Sequence, residues 1–297
     1  MNKVQEYELN ILKEIIRVCE KNNLTYYAIG GTCIGAIRHH GFIPWDDDID
    51  IALPRKDYEL FRQKYYKELP DYLSKLDCDN SYGNYQLFTK IYDNRTTFIE
   101  DYNIMSASRY TGVFVDVMPV DNLPDNIHEQ EEAIKKYEHY LLLNEWIRPR
   151  SYEITSLKDR IKEPIKKFLR FAYKKNYTVF SDKVRELAEK GRATDSSQKV
   201  YFTWRPKRNC SIQRRVFDRS FFQNTIVVPF ENIGICVPEG YDKYLTQDFG
   251  DYMELPPVES RVSLHKVLIC ELDTPVSYYI DIRNQGKNPL EFRRGKE

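Results

Sequence analysis

Four carboxylates fall within five residues in the run Trp45-Asp46-Asp47-Asp48-Ile49-Asp50-Ile51. The stretch Ile49-Asp50-Ile51-Ala52-Leu53 reads as a short strand, and strand side chains alternate between faces. Asp48 and Asp50 then project together, Asp46 shares their parity, and Asp47 points elsewhere, while Ile49 and Ile51 face a core. Two carboxylates about 4 Å apart repel by roughly 4 kcal/mol at an effective dielectric near 20. A divalent cation turns that repulsion into coordination, and Mg2+ prefers hard oxygen ligands of this kind. Asp116, between Phe114-Val115 and Val117-Met118, offers a third carboxylate from a later strand. Three such groups on adjacent strands can hold two Mg2+ ions, or Mn2+ in their place, about 4 Å apart around a transferring phosphate. A solvated acidic loop would account for the charge, but not for Asp50 and Asp116 each standing between apolar neighbours.

Upstream, Thr25-Tyr26-Tyr27-Ala28-Ile29 reads as a strand that runs into Gly30-Gly31-Thr32. A glycine pair there lets backbone amides approach a phosphate with no Cβ in the way, and a following helical turn adds its positive end. Thr32 can offer its hydroxyl to a phosphate oxygen or to the helix cap. A purely structural turn would use the same residues.

Periodicity indicates the elements that must position these groups. Leu9, Leu12, Ile15, Ile16 and Cys19 keep helical spacing over residues 4–22. Residues 33–39 can form one or two helical turns, and 55–69 reads as a helix with Tyr58, Phe61, Tyr65 and Leu69 on one stripe. Strands are expected at 85–92, 96–99 and 112–119, the last carrying Asp116. Residues 126–146, 163–175 and 181–191 read as helices, with Pro164 in the first turn of the second. Strands return at 225–230 and 234–238, followed by a short helix over 241–249. This is an α+β plan. Its simplest organisation is a core over 1–125, a basic, mostly helical insertion over 126–224, and a segment over 225–297 that returns to the core.

The 297 residues carry 45 basic and 45 acidic side chains, so net charge gives no sign of a nucleic-acid binder. The distribution is uneven: Arg148 to Arg219 holds 21 Lys and Arg against 8 Asp and Glu. The six cysteines are scattered without a C-x-x-C pair, which argues against a zinc module and for free thiols in a reducing compartment. The amino terminus is charged and amphipathic, unlike a signal peptide, and no run approaches the roughly 18 apolar residues of a spanning helix. A cytoplasmic protein, peripheral to the inner face of the membrane at most, is expected.

At this point the residues carry a family resemblance. Gly30-Gly31-Thr32, the Asp48-x-Asp50 pair and the isolated Asp116 resemble the nucleotidyltransferase superfamily typified by DNA polymerase beta. More narrowly, the run from Gly31 through Arg38-His39-His40-Gly41 and Trp45-Asp46-Asp47-Asp48 to Ile51 resembles the LicD family of phosphocholine and sugar-phosphate transferases. The likeness continues through Pro54-Arg55-Lys56-Asp57-Tyr58, Asp116-Val117-Met118-Pro119-Val120-Asp121 and Phe230-Glu231-Asn232. It reappears over residues 237–245 and 249–257, with His265 beyond them.

The resemblance implies a nucleotidyltransferase fold, a mixed sheet flanked by helices. It also implies transfer of phosphocholine or a similar phospho-alcohol from a CDP-linked donor, CDP-choline first, to a hydroxyl of a cell-surface glycan, lipid-linked glycan or teichoic-acid precursor. On that reading Asp48, Asp50 and Asp116 are catalytic, and Asp46 joins them as a metal ligand. Gly30, Gly31 and Thr32 hold donor phosphates, Arg38 and Lys90 neutralise charge, and His265, near Arg261, contacts the donor. An alternative keeps the fold and moves a nucleoside monophosphate from a triphosphate to a small hydroxylated acceptor. A non-catalytic binding module is a third reading, against which the intact carboxylate trio argues.

Two weaker signals have both a structural and a functional reading. Tyrosine is abundant at 23 residues, and Tyr82, Tyr85, Tyr110, Trp45 and Trp204 are candidates for a cage around a quaternary ammonium group. They equally fill half-buried surface. The stretch 164–175 places Ile165, Phe168, Leu169 and Ala172 on one stripe with Lys166, Lys167, Arg170 and Lys174 around it. Its apolar face could rest on an anionic membrane or pack on the core with the lysines in water. His39 and His40 are read as helix caps without catalytic duty.

Overall fold

The computed structural model describes residues 1–149, 157–192, 198–203, 216–263 and 265–294. Helix α1 (Lys3–Lys21) opens on a capping box in which the Asn2 side chain accepts from Gln5 N and Gln5 returns a bond to Asn2 N. Its stripe of Leu9, Leu12, Ile15, Val18 and Cys19 is fully buried, while Ile16 lies at the rim. That face covers one side of the main sheet.

The sheet has seven strands. Strands β1 (Tyr27–Ala28), β2 (Asp50–Pro54), β3 (Leu73–Leu76), β4 (Thr89–Asp93) and β6 (Phe114–Leu123) lie in the order β1-β2-β6-β4-β3, with β5 (Thr97–Glu100) elsewhere. Strands β7 (Lys199–Tyr201) and β8 (Val216–Asp218) extend the sheet from the end of β6. Only the β2–β6 ladder is parallel, so the sheet is mixed. β9 (Thr225–Phe230) and β10 (Ile233–Pro238) form a hairpin, and β11 (Val267–Glu271) pairs with β5.

The remaining helices are α2 (Gly30–Ile34), continued as a π-turn over Gly35–His39, α3 (Arg55–Gln63), α4 (Ile127–Trp146), α5 (Leu157–Tyr173), α6 (Val179–Arg192), α7 (Tyr241–Phe249) and α8 (Val276–Asn284). The α+β class expected from the sequence holds, with eight α-helices among the described residues.

Several boundaries differ for identifiable reasons. The strand bearing Asp116 runs to Leu123, through Pro119, because Pro119 falls between the last β4 pairing at Val117 and the first β7 pairing at Asp121. No neighbour there needs the missing N–H. The expected strand from residue 85 begins only at Thr89, since the preceding chain turns on Ser81 and Asn84. Helix α3 ends at Gln63 and passes into a 3-10 turn over Tyr65–Glu68. Pro164 lies inside α5, not in its first turn, because that helix starts at Leu157.

The packing of α5 inverts one sequence reading. Leu157, Ile161, Ile165, Phe168 and Phe171 face solvent, whereas Lys166 is buried and pairs with Asp159 at 3.6 Å. The apolar face does not pack on the core. The described cysteines are all unbridged thiols, Cys210 lying outside the described residues. No helix among the described residues is long and apolar enough to cross a membrane.

Candidate metal and active site

Sheet register does most of the positioning. Asp50 on β2 lies opposite Asp116 on β6, and Asp116 lies opposite Lys90 on β4. Cross-strand partners share a face, so three charged groups form a row across three strands. Lys90 Nζ stands 3.0 Å from Asp116 Oδ1 and 3.1 Å from Oδ2, over the Phe114 ring at 3.3 Å from its centroid. Sequence reasoning directed Lys90 at donor phosphates; here it is the counter-ion of Asp116.

Asp46, Asp47 and Asp48 precede the strand. A turn closes at Trp45, with Asp46 N donating to Ile43 O at 2.9 Å, and Gln5 Nε2 of α1 holds Asp46 O at 2.9 Å. Strand alternation therefore does not govern these residues, and the expectation that Asp47 points away from the site fails. Asp47 Oδ1 meets His265 Nδ1 at 3.2 Å, Asp48 Oδ2 meets His265 Nε2 at 3.6 Å, and Ser263 Oγ donates to Asp47 Oδ2 at 2.6 Å. Asp47, Asp48 and His265 bring ligand atoms within 4.8 Å of one another. The Asp48 charge also bears directly on Asp46.

The electrostatics are those of crowded acids. Burial, then the charges of Asp48 and Asp47, pushes the Asp46 carboxyl up to about 7. Burial likewise raises Asp48, and burial with the charges of Asp48 and Asp116 raises Asp50 well above the carboxylate range. Asp116 is pushed by burial to about 6, with Lys90 opposing the rise. Asp47 goes the other way: burial opposes its ionisation, but hydrogen bonds from His265 and Ser263 outweigh it. The same Asp47 bond, with the Asp48 charge, lifts His265 to about 9. His265 thus lies between two carboxylates, as their counter-ion when protonated. Lys90 and His265 leave several acidic groups uncompensated, and a hard divalent cation fits that oxygen-rich excess.

The glycine pair abuts these acids. Gly30 has φ +55, a conformation that favours glycine, and its N–H donates to Tyr244 Oη of α7 at 3.0 Å. A Cβ on Gly31 would stand 2.5 Å from Asp46 Oδ2. Thr32 is buried and its hydroxyl accepts from Asp50 N at 2.8 Å, so it braces the first residue of β2. In this state Gly30 and Thr32 are engaged by the protein itself. Arg38 donates to Tyr252 O and Glu254 O, tying down the segment after α7. Glu231, in the matched Phe230-Glu231-Asn232, accepts from Phe42 N at 3.0 Å and supports the loop entering the acidic turn.

The aromatic candidates do not gather. Tyr82 packs on Tyr177, Tyr85 on Arg109 and Trp45 on His39 and Arg261, while the Tyr110 hydroxyl donates to Ile104 O. Trp204 lies outside the described residues. Two acids escaped sequence reasoning. Glu8, 2% exposed on α1, is raised well above its usual range by burial and then by Asp48, Asp47, Asp46 and Asp116. Glu100, buried at the end of β5, adds its charge to those acting on Asp116 and His265. Glu8 had a visible signal, a carboxylate at i−4 from Leu12 on an otherwise apolar stripe.

With this geometry in place, comparison with known proteins defines the class. Residues 23–158 match the LicD/FKTN/FKRP nucleotidyltransferase domain. The chain thus carries a LicD-family domain, and the resemblance read from its motifs holds. Over 265 residues it is 29% identical to the lipopolysaccharide cholinephosphotransferase LicD of Haemophilus influenzae, covering 86% of this chain and 92% of that protein. It is also 42% identical over 53 residues to an uncharacterised protein of Rickettsia typhi, covering 18% of this chain and 17% of that one. An uncharacterised Rickettsia prowazekii protein is 27% identical over 129 residues, 43% of this chain and 44% of its own.

Proposed function

We propose that the chain is a cytoplasmic transferase of the nucleotidyltransferase fold. It moves phosphocholine, or a similar phospho-alcohol, from a CDP-linked donor to a hydroxyl of a cell-surface glycan or teichoic-acid precursor. The phosphorus–oxygen bond to CMP breaks as the bond to the acceptor oxygen forms. The observation that carries this reading is the Asp50–Asp116–Lys90 row beside Asp46 and Asp48, in a chain alignable over most of its length with a cholinephosphotransferase.

Asp46, Asp48, Asp50 and Asp116 are the residues to hold Mg2+, two ions in this proposal. Bound there, Mg2+ supplies charge neutralisation and orientation to the phosphate oxygens. Asp116 takes the acceptor proton. Burial raises the Asp116 carboxyl and Lys90 opposes that rise, so its basicity is set by the pair. Gly31, in the first turn of α2 and against Asp46, is the glycine assigned to a donor phosphate. Acceptor choice is assigned to the basic stretch 126–224.

The test is incubation with CDP-choline, Mg2+ and a glycan acceptor, with CMP release as readout. Wild type should release CMP, and folded Asp48→Asn, Asp50→Asn and Asp116→Asn variants should lose at least ~100-fold. Pyrophosphate release from a nucleoside triphosphate, with CDP-choline untouched, would replace this reading by nucleotidyl transfer.

A further inference from the structure

Helix α5 is amphipathic the wrong way round for a helix that covers a core. At about 100° per residue, Leu157, Ile161, Ile165, Phe168 and Phe171 form one continuous stripe along its 17 residues, and all five are exposed, from 56% at Ile165 to 84% at Phe171. The opposite face is polar and packed. Lys166 pairs with Asp159 and lies 5.7 Å from the Trp146 ring, while Arg170 pairs with Glu163 at 2.7 Å and donates to Arg148 O at 2.8 Å. The charged face of α5 is thus anchored to the end of α4, and that anchoring turns the apolar stripe outward.

Exposed cations border the stripe on both sides: Lys158 and Lys162 along one edge, Arg160 and Lys167 along the other. None of the four enters an ion pair among the described residues. The two acids of the helix, Asp159 and Glu163, are both turned to the packed face and paired. A ridge of two aromatic and three aliphatic side chains, about 21 Å long and flanked by lysine and arginine, has the chemistry of an interfacial helix. We infer that α5 docks the protein on an anionic lipid surface, with the Leu157–Phe171 stripe in the acyl boundary and the four cations at the headgroups.

Charge complementarity selects this occupant. A second copy paired through the same ridge would set cationic edges against cationic edges in a low-dielectric contact, where like charges repel. A bilayer carrying anionic lipid presents negative charge along both edges at once. The inference stands apart from the transfer reaction, since lipid binding requires neither donor nor metal.

The experiment is flotation of the full chain with vesicles of phosphatidylglycerol and phosphatidylcholine, against phosphatidylcholine alone, at physiological salt. Wild type should float with the anionic vesicles. Phe168→Glu/Phe171→Glu should lower the partition coefficient by more than about tenfold, and Lys162→Glu/Lys167→Glu by roughly fivefold per cation. Circular dichroism of these surface variants should match wild type, because the altered side chains project into solvent. Sedimentation velocity without vesicles should give a monomer. Absence of flotation by wild type, or flotation of the Phe168→Glu/Phe171→Glu variant at the wild-type level, overturns the proposal. A dimer that the same double variant dissociates, with no flotation, overturns it in favour of a second copy.

Discussion

Asp121→Asn should destabilise the fold by about 3 kcal/mol. Arg55 follows β2 directly, and Asp121 lies five residues beyond Asp116 on β6, so the pair extends the same parallel register that sets Asp50 opposite Asp116. Arg55 Nε is 2.6 Å from Asp121 Oδ1, Nη2 is 2.7 Å from Oδ2, and the Thr203 hydroxyl donates to Oδ2 at 2.6 Å. Asp121 is 0% exposed and Arg55 6%. Removing one member of such a pair strands the other, at roughly 3–5 kcal/mol. Glu59, 3.1 Å from Arg55 Nη1, remains as partial compensation and sets the lower end of the range. That loss corresponds to a drop in Tm of about 6 °C or more, measured together with a urea midpoint at unchanged m-value. Arg55→Met/Asp121→Leu should recover most of the loss, because neither charge is then buried alone. A loss below about 1 kcal/mol for Asp121→Asn is the range of a surface ion pair and would refute the reading of this pair as buried and mutually dependent.

Other consequences follow from the same geometry. Gly31→Ala puts a Cβ against Asp46 Oδ2 and should weaken the Mg2+ dependence of activity by about tenfold, read from a Mg2+ titration, with little change in Tm. Thr32→Val leaves Asp50 N–H buried without its acceptor and should cost about 1–3 kcal/mol in urea unfolding, which Thr32→Ser should restore. His265 is raised from an unfolded value near 6.5 to about 9 in the metal-free fold. Its contribution is complete below about pH 6.5 and is lost as pH rises through 9. Unfolding in EDTA should therefore show His265→Gln less stable than wild type near pH 6 and nearly equal to it near pH 10.

The strand carrying Asp50, the strand carrying Asp116 and the α+β plan were legible because apolar alternation, Gly and Pro punctuate the chain at those points. Register was not legible, since it depends on which strands pair; no local pattern states that Lys90 on β4 meets Asp116. Strand parity does not carry back to Asp47, because the strand starts at Asp50 and a turn at Pro44 and Trp45 precedes it. Thr32, beside glycines, has a hydroxyl that a phosphate or a helix cap could use, and only the fold reveals Asp50 N–H at its oxygen. Helix α5 was foreseen as amphipathic and basic, but its orientation is set by Glu163, Arg170, Lys166 and Trp146 contacts that periodicity does not encode. Glu8 stands inside an apolar helical stripe, and no local pattern states that this stripe meets the acidic turn.

The central claim is that Asp48, Asp50 and Asp116, with Asp46, form a crowded acidic site that a divalent cation relieves. Thermal unfolding of wild type and Asp50→Asn, each in EDTA and in Mg2+, tests it most directly. In EDTA the variant should be the more stable of the two, since one buried and repelled carboxyl is gone. Mg2+ should raise the wild-type Tm with concentration and leave Asp50→Asn almost unmoved. A wild type indifferent to Mg2+, with Asp50→Asn destabilised in EDTA, would mean that these carboxylates hold the fold together and do not hold a metal.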